Sequence, residues 1–248
     1  MAERRTVLID AFPDSAFRHR EHAAVACIDV MLATTTLVTA AEQGRSVAVA
    51  ASPGDVRALA AILHDPLVAG SLPGVGPGPF EAADGPRALL RSETCGRPLL
   101  LASLPGTELV VNAAVASPVL LACFRNVSAT ARALARQRRV ALLAAGWHEE
   151  FSCEDQMAAA WIAARLLDAG FVAEDRHTAD VARRWSGISP ALAGWGNSAA
   201  QLRREGRGDE VEFVLAHVDD LERPCWCEGT KVIQGHAVAP VEAAERKR

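Results

Sequence analysis

Four places in the chain put side chains capable of chemistry directly after a short apolar run. Asp29 closes AAVACID and is followed by three hydroxyls, Thr34, Thr35 and Thr36. Ser103 closes LLLAS ahead of Gly106 and Thr107, Asn126 and Ser128 follow VLLACF, and Gly146 ends VALLAAG shortly before Glu154 and Asp155. An apolar run of this length reads as a strand buried on both faces. Carboxylates at strand ends, beside hydroxyls and the free N–H groups of a helix start, can hold a divalent cation and an oxyanion side by side. A Mg²⁺ ion there would polarise a phosphoryl group and help activate water. Each feature also has a plainer use. Thr34 or Thr35 would serve as an N-cap, an Asp at a strand end closes turns, and Glu154 and Asp155 are favourable first-turn acids against the helix dipole.

The elements that must position these residues alternate along the chain. Strands are expected at Thr6 to Phe12, from Ala23 towards Asp29, and at Ser46 to Ser52, Arg97 to Ser103, Val119 to Phe124 and Arg139 to Gly146. Helices are expected after the threonines up to Gly44, from Ser52-Pro53-Gly54-Asp55 to His64, from Thr107 to about Ala116, and from Asn126, as cap, to Gln137. The strongest helix signal is CEDQMAAAWIAARLLDAG, with Met157, Ile162, Leu166 and Leu167 on an apolar side and Gly170 as a stop. Shorter helices follow at Thr178 to Arg184 and Asn197 to Glu205, then strands at Val211 to His217 and in KVIQGH. Leu72 to Pro86 is too rich in Gly and Pro for regular structure, and so long a loop in a compact chain usually carries function. Alternation of this kind implies an α/β fold, a mostly parallel sheet with helices on both faces in three α/β/α layers, with ligands at the carboxyl ends of the strands. We take residues 1–248 as a single α/β domain whose part 171–248 could form a subdomain.

With 248 residues, half of them hydrophobic, the chain can bury a sizeable core. A net charge of −4 argues against nucleic acid as partner. No apolar run approaches a membrane span and MAERRTVLIDAF lacks a signal-peptide core, so the expectation is a cytoplasmic chain with no membrane partner. Nothing in the composition opposes a homo-oligomer. Six cysteines form no disulfide framework; Cys27 and Cys123 lie in apolar runs, and Cys225 and Cys227 alone are too few for zinc. His148, beside Glu149 and Glu150, could move protons near neutral pH, but a polar loop residue is expected simply to be exposed. Trp147 either walls a pocket or packs on its loop.

The segment AVACIDVMLATTTLVTAAEQG resembles the IDVLRATTTIVTAL-type segment of the 2-phosphosulfolactate phosphatase family. PFEAADGP, ASLPGTEL, ACFRNVSATARAL and LLAAGWHEEFSCEDQMAAAWIAARLL fall in that family's order, against GFDLGNSP-, TTNGTRAL-, GSFLNASAVARAL- and VCAG…FSLEDxxxAG-like segments. The resemblance covers almost the whole chain. It implies Mg²⁺-dependent hydrolysis of a small acidic phosphate monoester, (R)-2-phospho-3-sulfolactate, to 3-sulfolactate and phosphate in coenzyme M biosynthesis. It further implies metal-binding or water-activating roles for Asp29, Glu154 and Asp155. Thr34, Thr35, Thr36, Gly106, Thr107, Asn126 and Gly146 would then serve the phosphate.

Some positions depart from the family pattern. Leu32 and Glu108 each occupy the place of an Arg, Pro105 that of an Asn, and Ala83-Asp84-Gly85 that of Gly-Asn-Ser. Two cations are lost and an anion is gained, with Arg87 and Arg125 as the candidates to compensate. An alternative therefore stands beside the enzyme: a catalytically degenerate or repurposed relative that binds a small anionic metabolite or a protein partner. A hydrolase with a less charged substrate, its pocket lined by Leu32 and Trp147, is a third.

Overall fold

The apolar runs become the strands of one ten-stranded sheet, and the amphipathic segments between them cover it. The computed structural model describes residues 4–91, 96–147 and 150–235. In chain order the elements are β1 (Thr6–Ala11), α1 (Ser15–His19), β2 (Ala24–Ile28), α2 (Ala33–Glu42), β3 (Val47–Val49), α3 (Pro53–Ile62) and β4 (Leu67–Ser71). Then come α4 (Pro86–Arg91), β5 (Leu99–Ser103), α5 (Gly106–Ala113), β6 (Val119–Ala122), α6 (Val127–Leu134), β7 (Arg139–Ala144) and α7 (Cys153–Asp168). The last are β8 (Val172–Ala173), α8 (Arg176–Trp185), α9 (Asn197–Arg204), α10 (Gly208–Ala216), β9 (Cys225–Glu228) and β10 (Lys231–Gln234).

Strand order is β4-β5-β3-β10-β9-β6-β2-β7-β1-β8. Both outer parts, β4-β5-β3 and β6-β2-β7-β1-β8, are parallel. Between them β9 and β10 pair antiparallel with each other and with their neighbours. Helices α2 and α5 touch strands of both parallel parts. Leu37 and Val38 of α2 and Leu109 and Val110 of α5 share a core with Val25, Cys27 and Leu143 from one part and Val49 and Leu101 from the other. The opposite face of β1, β2, β6 and β7 is covered by α6 to α10, through Leu134, Met157, Trp185, Leu202 and Val211 among others. Helix α3 covers Val68 and Leu100. This is the mostly parallel α/β architecture with helices on both faces that the alternation implies. Because α2 and α5 lie between the two parallel parts, the strand ends that precede them meet.

One expected strand is a helix. VEFVLAH forms α10, in which Glu210, Val211, Phe213 and Val214 are buried. That spacing of three and four is helical, and the pattern of burial prevails over the β preference of Val and Phe. Three strands had no clear signal: β4, β8 and β9. In β4, Gly70 sits at φ +114 with a Cβ there overlapping the carbonyl of Ala102, so the backbone of β5 requires glycine. Among the described residues no helix is long and apolar enough to cross a membrane.

Candidate active site

Asp29 is the first residue beyond β2, and the threonines behind it shape its turn. The Thr34 hydroxyl accepts from the N–H of Asp29 (3.0 Å) and lies within bonding reach of the carbonyls of Asp29 (2.6 Å) and Ala122 (2.8 Å). The Thr35 hydroxyl donates to the carbonyl of Val30 (2.6 Å) and that of Thr36 to the carbonyl of Asp84 (2.8 Å). All three side chains are buried. Neither Thr34 nor Thr35 is the N-cap, since α2 already begins at Ala33. Their hydroxyls bond backbone groups: Thr34 those of Asp29, Thr35 that of Val30 and Thr36 that of Asp84.

The Asp29 carboxylate accepts backbone N–H groups of Leu32, at 3.5 Å, and Ala33. Gly106, at the start of α5, closes over it: a Cβ at 106 would overlap Asp29 Oδ2 and the Cβ of Ala33. Gly106 therefore leaves the room that the carboxylate occupies. Burial raises the Asp29 pKa to about 7, and the nearby acids Asp84 and Glu154 add to the effect.

Two acids at the start of α7 arrive from the far side of β7. The Asp155 oxygens accept from the N–H groups of Val30 (2.8 Å) and Gly146 (3.2 Å), tying the ends of β2 and β7 together. Each oxygen thereby accepts one of these bonds, and the Gly146 N–H is used. Burial, with Asp29 and Glu154 close by, pushes the Asp155 carboxyl well above the ordinary range. Glu154 is also buried and borders the same cavity. Gly146 itself, at φ +73, packs so closely on Phe12 and the carbonyl of Glu150 that a Cβ would lie 2.8 Å from the latter.

The long Gly/Pro loop delivers a fourth acid. Asp84 Oδ2 accepts from the Ser103 hydroxyl (2.6 Å) and Oδ1 from Arg207 Nη2 (2.7 Å). Behind it the buried Glu210 carboxylate accepts from the N–H groups of Arg87 (2.7 Å) and Ala88 (2.9 Å), fixing the start of α4. A Cβ at Gly85 would strike that carboxyl group.

Asp29, Asp84, Glu154 and Asp155 line one cavity of about 300 Å³ together with Leu32, Ser103, Pro105, Gly146, Trp147 and Arg207. The N-caps of α2 and α5, Leu32 and Pro105, and the first turn of α7 border it. Their positive dipole ends favour an anion. Arg207 is the one Lys or Arg among the described residues that line it. It stands in the turn before α10, and no local pattern marks it in the sequence. The two arginines considered for that role lie elsewhere. Arg125 is buried against Asp220 (2.7 Å) and Thr39 (2.9 Å), and neither it nor Arg87 lines the cavity.

Thr107 and Asn126 also stand apart from the cavity. Thr107 Oγ1 accepts from the N–H of Ser103 (3.1 Å). Asn126 accepts from the N–H of Cys123 (3.0 Å) and donates to the carbonyl of Leu121 (2.9 Å); it is fully buried and stands at the N-cap position of α6, as expected, without a side-chain cap bond. Both shape the ends of β5 and β6, and neither lines the cavity. Cys27, Cys123, Cys225 and Cys227 are buried free thiols. His148 lies outside the described residues.

Among the described residues no three His, Cys, Asp or Glu side chains form a ready metal cage. Mg²⁺ does not need one: it takes one or two carboxylates and fills its octahedron with water and phosphate oxygens. Asp29 and Asp155 each accept two backbone N–H groups and keep lone pairs free, whereas Asp84 is paired with Arg207 and Ser103. Asp29, Glu154 and Asp155 are the carboxylates placed to face a cation, and burial with like charges close by raises the pKa of Asp29 and Asp155. The residues present therefore fit the ion.

Fold and cavity together define an α/β protein with an acid-lined, helix-capped pocket at the carboxyl ends of its strands. The family model for 2-phosphosulpholactate phosphatase matches residues 11–217. A probable 2-phosphosulfolactate phosphatase of Symbiobacterium thermophilum is 31% identical over 83% of this chain and 92% of its own length. One from Synechococcus sp. strain CC9605 is 32% identical over 80% and 86% respectively, and one from Thermus thermophilus 35% identical over 60% and 63%. The chain belongs to the 2-phosphosulfolactate phosphatase family, and so to a family of phosphoric monoester hydrolases.

Proposed function

We propose that the chain hydrolyses a small phosphate monoester with the help of Mg²⁺, and that the compound in its relatives' name, 2-phosphosulfolactate, is the first candidate substrate. What carries this reading is the convergence of Asp29, Glu154 and Arg207 with three helix N-termini on one cavity. An anionic ester meeting buried acids alone would be repelled; a cation between them removes that conflict.

Asp29 and Glu154 would hold Mg²⁺, which supplies neutralisation of the phosphoryl oxygens and a more acidic bound water. Arg207, kept in place by Asp84, donates to the phosphate oxygens, its planar fork suiting two of them at once. The N-termini of α2, α5 and α7 add fixed positive potential that needs no reorganisation as charge develops. Asp155 holds the walls, β2 and β7, at a set separation. Water adds to phosphorus, the ester P–O bond breaks, and alcohol and inorganic phosphate leave with the two protons of water shared between them. The test is phosphate release from a panel of phosphate monoesters, with Mg²⁺ and with EDTA. We expect turnover that needs the ion and is lost in Asp29→Asn; turnover indifferent to both would overturn the proposal.

A further inference from the structure

Next to the acid-lined cavity lies a second and larger one, of about 670 Å³, and the two share the wall of Leu104, Pro105 and Trp147. Its other sides are Phe12, Pro13, Pro73 and Ala145, with Asp14 and Glu108 as its charged residues. Among the described residues no Lys, Arg or His lines it. Neither acid makes an ion pair within the described residues.

We infer that this chamber is a substrate subsite, which takes an apolar arm ending in a cationic group on the far side of the phosphate ester. The inference rests on the phosphatase reading of the first cavity and narrows its substrate class. An ester seated with its phosphate against Arg207 has the shared Pro105 and Trp147 wall beside it. Beyond that wall, aromatic and proline surfaces reward burial of hydrocarbon. Glu108, in the first turn of α5, and Asp14, in the turn after β1, set a negative potential there. A carboxylate or sulfonate on the arm would meet two like charges and no described cation, whereas an ammonium would gain. A compact polyanion would use the first cavity alone and leave the larger one unfilled.

The experiment compares three esters of one chain length: 4-aminobutyl phosphate, butyl phosphate and 3-carboxypropyl phosphate, with 2-phospho-3-sulfolactate alongside. We expect kcat/KM to fall in that order, the two ends differing by about tenfold, since two surface acids act at moderate range. In Glu108→Gln the gap should shrink to about threefold, chiefly by loss on the amino ester. Carboxypropyl phosphate hydrolysed as fast as the amino ester would overturn the inference; 2-phospho-3-sulfolactate, which uses the first cavity alone, reports on the phosphatase reading by itself. The matching non-hydrolysable phosphonates, read by thermal shift, separate the two claims. If no ester releases phosphate, the phosphatase reading fails, while a larger shift with the amino than with the carboxy phosphonate, reduced by Glu108→Gln, still supports the chamber. Equal shifts would refute it.

Discussion

Replacing Asp29 by Asn should abolish turnover and yet make the metal-free protein more stable. The carboxyl group goes from an ordinary pKa near 3.8 to about 7 on folding, because burial and then the acids around it disfavour its charge. The sign follows directly. The folded chain binds this proton more tightly than the unfolded chain, so its contribution to stability is full below pH 4 and is lost as pH rises towards 7. Three units correspond to about 4 kcal/mol at most, and coupling to the neighbouring Asp155 reduces the working value to about 2 kcal/mol. Asn keeps the shape and can still accept one of the N–H bonds from Leu32 and Ala33, at a cost of about 1 kcal/mol for the other. Denaturant melts in EDTA should therefore show Asp29→Asn gaining about 1 kcal/mol on the native protein at pH 8, with the advantage smaller at pH 5. Adding Mg²⁺ should stabilise the native protein more than the variant. A variant that is less stable at pH 8, or an advantage that grows towards acid, would refute the reasoning.

Gly106→Ala forces a methyl group onto Asp29 Oδ2 and Ala33, so we expect a loss of about 2 kcal/mol in thermal unfolding. Its activity should drop by about a hundredfold in a phosphate-release assay, since the carboxylate is displaced. Asp155→Asn presents an amide NH₂ to one of two backbone N–H donors, Val30 or Gly146; in acid, where the buried carboxyl is neutral and its removal relieves no charge, it should cost about 1–3 kcal/mol as a fall in denaturant midpoint, a cost that shrinks as pH rises. Arg207→Met should raise KM for phosphate esters by about tenfold or more, with Arg207→Lys intermediate because a single ammonium cannot bond two oxygens in the same way. In steady-state kinetics, an unchanged KM in Arg207→Met would exclude the arginine from the substrate.

The α/β class was legible because buried parallel strands need continuous apolar runs, and β2, β5, β6 and β7 each have one. Asp29, Glu154 and Asp155 were legible as strand-end and helix-start acids for the same reason: position within an element follows from the element. Short strands such as β9, CWCE, carry too little pattern to be seen, and exist because β6 and β10 offer their edges on either side. The bonding of the threonines was not legible, because a hydroxyl at a helix start can face a ligand or its own backbone, and the backbone bonds they make appear only in the packed turn.

By itself, then, the chain determined the alternation of strand and helix, the segments of its family and the acids that close two strands. Those are consequences of local pattern, of burial period and of residue type. Tertiary structure alone decided that Arg207 and Asp84, 123 residues apart in the chain, become the ion pair of the same cavity as Asp29. It alone decided that Gly106 makes room for a carboxylate from another strand, and that a second chamber opens beyond Pro105. The reason is physical: such contacts depend on how α2 and α5 are held between two parts of one sheet, and no stretch of sequence encodes its distant neighbours.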